Sequence, residues 1–239
     1  MLIVTLLVAH LVQGVTGFGA IVLALPVLAL FFPLKVLIPV LVLVNLAQVA
    51  WFAWRERRSI HPGHAKSMAL AAVLGLPVGY AIFRFLPTEE LKVGLGVLVI
   101  LVPVWNLAGP SSSPPLPRRA YHLLNLGGGI IQGALASGGP FLVIYAAAML
   151  RDKASFRATL CAAFVVLDLV LSAANVATGS WSTGMIPLVL CGLPCMAVGT
   201  LLGTILHDRL PLRPFRVLVF SLLLVSGVVL LRPLLGAAL

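Results

Sequence analysis

Two glycine clusters, each lodged in the middle of an apolar run of about 30 residues, most constrain what this chain can fold into. The first is His10-Leu-Val-Gln-Gly-Val-Thr-Gly-Phe-Gly19, inside the run 2–32. The second is Gln132-Gly-Ala-Leu-Ala-Ser-Gly-Gly-Pro140, inside the run 120–150. A glycine costs roughly 1 kcal/mol in a helix interior, so clusters of this density predict interrupted helices. As straight helices the two runs would each be about 45 Å long at 1.5 Å per residue. A bilayer's hydrocarbon core is only about 30 Å thick. Halved at the glycines, each piece is too short to cross.

The rest of the chain says that a bilayer is the relevant solvent. Of 239 residues, 61% are hydrophobic and 9% charged, with a mean hydropathy of +1.15. A soluble domain carries about 25% charged residues. Apolar segments of spanning length fall at 36–54, 66–85, 91–107, 158–177, 184–206 and 215–231. The N-terminal stretch lacks a basic region ahead of its apolar residues, so it is expected to be mature protein and not a cleaved signal. The net charge of +10 would suggest nucleic acid in a soluble protein. Here it predicts basic loops facing the cytoplasm and anionic lipid, with no nucleic-acid partner.

The turn-rich linker 109–119 divides the chain into a first membrane repeat, 1–108, and a second, 120–239. Gly75, Gly79, Pro87 and Lys92 recur as Gly199, Gly203, Pro211 and Arg216, each displaced by 124. Gln13-Gly14 returns as Gln132-Gly133, and Asn45 corresponds to Asp168. That pattern predicts an internal duplication. Loop charges then predict its topology. If both broken segments crossed the membrane, the 16 Lys and Arg residues would divide 7 to 9, against the positive-inside bias. If both are re-entrant, 12 fall on one side, and Lys35, Arg84, Lys92 and Arg232 on the other. The expected fold is therefore an all-α integral membrane protein of two homologous halves. Each half is a glycine-broken, re-entrant segment plus three transmembrane helices, the halves being inverted-topology repeats. The expected location is the inner cell membrane, multi-pass, with both termini outside the cytoplasm.

At a helix break in a membrane, bare backbone is tolerated only where it is buried in protein or lines a wet cavity. The N–H groups at a half-helix N-terminus can receive an anion. The substrate-binding candidates are accordingly Gln13, Gly14, Thr16, Gly17 and Gly19 in the first cluster and Gln132, Gly133, Ser137, Gly138 and Gly139 in the second. Thr16 and Ser137 add hydroxyl donors, and Pro140 suits the first turn of a half-helix. Asn45 and Gln48 share one helix face, as do Asp168, Ser172 and Asn175. Asn45, Gln48 and Asn175 join the binding set. Asp168 is the acid well inside a span and the candidate for ion coupling by a proton. Gly75/Gly79 and Gly199/Gly203 fit close helix packing better than ligand contact, as does the pair Cys191 and Cys195. His10 is a weaker candidate, and His61 and His64 read as surface residues.

Nothing here is arranged for catalysis: there is no metal-ligand spacing, no paired nucleophile and base, and no cofactor motif. Gly14-x2-Gly17-x-Gly19 lacks the strand context of a nucleotide fingerprint. Gly14-Val-Thr-Gly-Phe-Gly19 with Pro26, Gly127-Gly-Gly129 with Gly138-Gly-Pro140, and the Gly-x3-Gly…Pro elements resemble the sulfite exporter TauE/SafE family across nearly the whole chain. The resemblance implies a permease for small anions, mainly sulfur-containing ones such as sulfite or organosulfonates. It also implies about eight spans, which agrees with six plus two hairpins if hydropathy counts a broken segment as a span. The expected partners are a small anionic solute, the lipid bilayer and protons, and a homo-oligomer is compatible with the sequence. The rival readings are a passive anion channel and a membrane assembly partner without transport.

Overall fold

The computed structural model describes residues 1–108, 117–150 and 152–207, together with Leu224, Gly227, Val228 and Leu231. Among these residues the fold is all helical. The helices are α1 (Leu2–Thr16), α2 (Ala20–Leu28), α3 (Leu34–Arg55), α4 (Pro62–Phe85), α5 (Thr88–Ala108), α6 (Arg118–Leu135), α7 (Gly139–Met149), α8 (Lys153–Ala177) and α9 (Ile186–His207). Most of the expected segment 215–231 and of the linker lies outside the described residues.

Both long apolar runs are interrupted at their glycine clusters. α1 ends where Gly17 turns left-handed (φ 85°) and donates its N–H to Gln13 O at 2.7 Å. Gly19 (φ 104°) then starts α2. In the second run Ala136 (φ 51°) takes the place of Gly17 and donates to Gln132 O at 2.8 Å. α7 follows from Gly139, with Pro140 in its first turn. Among the described residues four helices are long and apolar enough to cross a membrane: Leu34–Arg55, Pro62–Phe85, Lys153–Ala177 and Thr183–Leu206. Large apolar side chains on α4, including Leu74 and Phe85, point outward. In water they would be a liability, whereas in lipid they face a matching solvent.

α3 and α8 form the central antiparallel pair. Asn45 meets Asp168, and eleven residues further along α3 and eleven back along α8, Glu56 meets Arg157. This Glu56 end also gathers His61, whose N–H donates to Thr159 Oγ1 at 3.0 Å, and His64, whose Nδ1 lies 3.0 Å from Tyr145 Oη. At the opposite end, Tyr80 on α4 bonds the last turn of α8, and Lys35 Nζ donates to Arg84 O.

The flanking helices exchange partners, α1 packing on α9 and α6 on α4. Glycines make both contacts. A Cβ on Gly14 would fall 2.9 Å from Gly203 Cα, and one on Gly199 2.7 Å from Leu7 O. A Cβ on Gly133 would fall 2.5 Å from Leu76 O and 2.7 Å from Tyr80 N, and Gly75 and Gly79 press on the α6 backbone in the same way. Gly75/Gly79 and Gly199/Gly203 are thus packing glycines, as small-x3-small spacing requires. The same interface occurs twice, with residues about 120 apart in sequence.

The chain doubles back at its second break. The Tyr121 and Tyr145 rings, one near the start of α6 and one near the end of α7, meet edge to face at 5.7 Å. Closer to the break, Gly128 packs against Leu142 and Phe141. α8 then starts from the N-cap Asp152, which accepts the Ser155 N–H at 2.9 Å. That bond holds the Asp152 carboxyl below its ordinary range.

Candidate functional site

A small cavity lies between the two breaks. It is lined by Gln13, Phe18, Gly19, Ile21, Val22, Asn45, Gln132, Ala136, Gly139 and Phe164. Its contributors come from α1, α2 and α3 of the first half and from α6, α7 and α8 of the second. Each half supplies one glutamine with one task. Gln13 Oε1 accepts the Ala20 N–H at 2.8 Å, and Gln132 Oε1 accepts the Gly138 N–H at 2.9 Å. A side-chain carbonyl from the end of one helix therefore caps the start of the next, answering donors that a helix N-terminus leaves unpaired.

Behind the cavity stands Asp168, wholly buried. Its Oδ1 accepts from Gln132 Nε2 at 2.8 Å and its Oδ2 from Asn45 Nδ2 at 2.7 Å. Two donors aimed at one carboxyl describe a site organised for an acceptor, and charge-assisted bonds of this kind are about twice as strong as neutral ones. Asn45 Oδ1 is buried without a hydrogen-bond partner. A buried acceptor of this sort costs about 1–3 kcal/mol, so the site contains one acceptor in want of a donor.

The sequence candidates separate into two sets. Gln13, Gly19, Asn45, Gln132 and Gly139 line the cavity, and Asp168 is bonded to two of them. The others stand apart from it. Thr16 Oγ1 donates to Val12 O at 2.9 Å and Phe18 O at 2.6 Å, and Ser137 Oγ donates to Leu135 O at 2.9 Å. Both hydroxyls are thus turned back on the carbonyls of their own helix ends. Gly14 and Gly133 sit in the helix crossings, and Gly138 packs on the Gly128 backbone. Gly17 closes α1 and rests against the Arg157 stem. Gln48 binds His10 and Thr200, its Oε1 lying 2.6 Å from His10 Nδ1 and its Nε2 donating to Thr200 Oγ1 at 2.8 Å. Asn175 belongs to the Tyr80 cluster, accepting from its hydroxyl at 3.3 Å.

Several functional-looking residues were not singled out from sequence. Phe18 and Phe164 wall the cavity. Arg157 and Glu56 form an ion pair beside the first break, with Arg157 Nη1 also donating to Gly14 O at 3.1 Å. A positive charge one turn inside an apolar helix was the available signal for Arg157. The left-handed Ala136 is another. Such a conformation costs a non-glycine residue about 1–2 kcal/mol, and its counterpart is Gly17. Ala136→Gly is therefore expected to raise thermal stability by about 1 kcal/mol, read as a higher melting temperature in detergent. An unchanged or lower value would show that the cavity wall needs the Ala136 methyl group.

Apolar spanning helices, two interrupted helices and a polar centre between them define a multi-pass helical membrane protein with a small polar-lined cavity at its centre. The family description "Sulfite exporter TauE/SafE" matches residues 1–230, and the chain belongs to that family of membrane transporters for sulfite-type anions. Comparison with curated proteins and with solved structures returns no match to either.

Proposed function

We propose that this protein carries a small sulfur-containing anion, sulfite or an organosulfonate, across the inner membrane by proton-coupled alternating access. The observation that carries the reading is the central cavity, where the two interrupted helices meet and a glutamine from each half caps the helix that follows. Half-helix N-termini favour anions, and Gly19 and Gly139 leave the backbone bare there. The anion enters by displacing the Gln13 and Gln132 carbonyls from the N–H groups that they cap. An oxoanion takes the place of the two glutamine carbonyls when the halves move apart. That motion is the alternation.

Coupling follows from charge. An anion bound in front of Asp168 repels its carboxylate, so anion binding favours the protonated acid, and by linkage a proton on Asp168 favours anion binding. Both protonation states can be satisfied. The carboxylate accepts from the two amides. The acid can donate to Asn45 Oδ1 once that amide rotates, and Oδ1 is the unpartnered acceptor. A passive channel has no use for such a pair of states, which favours the coupled carrier.

The two halves are read as inverted repeats with re-entrant first segments. Support comes from the repeated α1–α9 and α6–α4 packing and from the return of α7 along α6. Charge distribution supports it too. Arg55, Arg57, Arg58, Lys66, Arg118, Arg119, Lys153 and Arg157 belong to the Glu56 end, against Lys35, Arg84 and Lys92 at the other. On the positive-inside bias the Glu56 end is cytoplasmic.

Proteoliposomes holding the purified protein test the reading. Sulfite or methanesulfonate should accumulate when a proton gradient is imposed, and the Gln13→Ala and Gln132→Ala variants should each lose at least tenfold in initial rate. No accumulation of any sulfur oxoanion would overturn it. Equilibration without accumulation would identify the passive channel instead.

A further inference from the structure

Among the described residues Arg157 is the buried member of the Lys and Arg set, 7% exposed, and it does not line the central cavity. It lies in the second turn of α8. Its Nε donates to Glu56 Oε2 at 3.1 Å, and its Nη2 donates to Glu56 Oε1. Its third arm, Nη1, donates to the carbonyl of Gly14 at 3.1 Å, and its guanidinium carbon stands 5.0 Å over the Phe52 ring. Gly14 adjoins Gln13, a wall of the cavity. The guanidinium and the central site are thus separated by one residue of α1.

We propose that Arg157 is a second anion station, on the Glu56 side of the central cavity, and that the Glu56 carboxylate is a resident anion that the transported oxoanion displaces. The inference rests on the transport reading above and names a step within it. A guanidinium presents two parallel N–H donors to any group with two oxygens at carboxylate spacing, and sulfite and sulfonates have such pairs. Leaving this cation buried and unpaired would be costly. The fork therefore changes partners in one step: as the oxoanion arrives, Glu56 leaves. Glu56 is placed to do so. It is the C-cap of α3 at the basic end of the molecule, and its side chain, 14% exposed, is somewhat more accessible than that of Arg157 at 8%.

The partner exchange also reaches the helix break. The Arg157 stem packs on Gly17, where a Cβ would fall 2.7 Å from Arg157 Cγ. Cys161 on the next turn donates its Sγ–H to Gly17 O at 3.5 Å. Glu56 belongs to the first half and Arg157 to the second. Parting them frees the halves at this end while the Tyr80 cluster still joins them at the other. One side of the carrier would then open upon arrival of its solute.

The test uses the full chain, with sulfite and methanesulfonate as probes. Glu56→Gln removes the competing anion and keeps the shape. It should lower KM by about fivefold and enlarge the anion-induced rise in melting temperature. Arg157→Lys loses the fork. It should cut kcat/KM at least tenfold and abolish the gain when combined with Glu56→Gln. Unchanged KM and unchanged anion-induced shift in Glu56→Gln, with only basal stability reduced, would make the pair a structural strut and overturn the proposal. If the wild type moved neither probe, the transport reading would fall, and the melting shifts would still decide on the anion station. Should Glu56→Gln not fold, Glu56→Asp, which withdraws the carboxylate by one methylene, should lower KM in the same direction by about twofold. A raised or unchanged KM would count against displacement.

Discussion

Replacing Gly129 by alanine is expected to disrupt the protein, and replacing Gly127, two residues earlier on the same helix, to stabilise it. A Cβ on Gly129 would overlap the Ala72 carbonyl of α4, which is backbone and cannot swing aside. α4 and α6 must then separate along an extensive crossing. Overpacking of this kind costs about 1–3 kcal/mol, and more where only backbone can yield. A Cβ on Gly127 meets nothing within 4 Å. There alanine brings only its better helix propensity, worth up to about 1 kcal/mol. Melting temperature in detergent, with the yield of monodisperse protein, separates the two. Equal effects at both positions would mean that α4 and α6 do not cross at Gly129. Gly79→Ala should resemble Gly129→Ala, because it meets the Ile130 carbonyl in the same crossing.

The contrast shows which features can be read from sequence. Glycines inside apolar runs marked both breaks, since few other features there can end a helix. The similar displacements of Gln13 to Gln132 and of Asn45 to Asp168, 119 and 123 residues, mark the central polar groups. Beyond that, residue type alone misleads. Gly14 and Gly133 stand in the same clusters as Gly19 and Gly139, yet their sites are helix crossings. Which neighbour approaches a glycine depends on helices about 60 to 190 residues away. Thr16 and Ser137 have suitable hydroxyls, but carbonyls at a helix end lie closer than any ligand and capture them. Asn175 shares a helix face with Asp168, but seven residues at 1.5 Å each carry it about 10 Å along the axis, into the Tyr80 cluster. Arg157 counted as a loop charge because its partner Glu56 is 101 residues away. Periodicity reports faces and breaks, whereas pairing across halves needs the fold.

Asp168→Asn is expected to abolish proton-driven accumulation, by at least tenfold, while leaving the protein folded. The fold must survive an amide in place of a carboxylate that accepts two buried hydrogen bonds. The Gln132 amide cannot turn, since its Oε1 holds the Gly138 N–H. It keeps donating to the new side-chain oxygen. The new NH2 group then faces Asn45, whose Nδ2 is also a donor. Asn45 can rotate, because its Oδ1 has no other partner, and the rotated oxygen accepts from the new amide. The Gln132 bond is kept and the Asn45 bond is exchanged for one of opposite direction, so stability should change by less than about 1 kcal/mol, the net worth of one such bond. The escape depends on Asn45. In an Asn45→Leu background the amide at 168 has no acceptor for its NH2. The same substitution should there cost about 1–3 kcal/mol, the penalty for a buried unpaired donor. The two singles and the double form a cycle whose non-additivity measures the rotation. Additive melting shifts would show that Asn45 does not turn and would remove its place in the proton step. Proton-driven accumulation surviving in Asp168→Asn would place the coupling group elsewhere. Loss of both coupling and exchange would mean instead that the carboxylate is needed to move the anion at all.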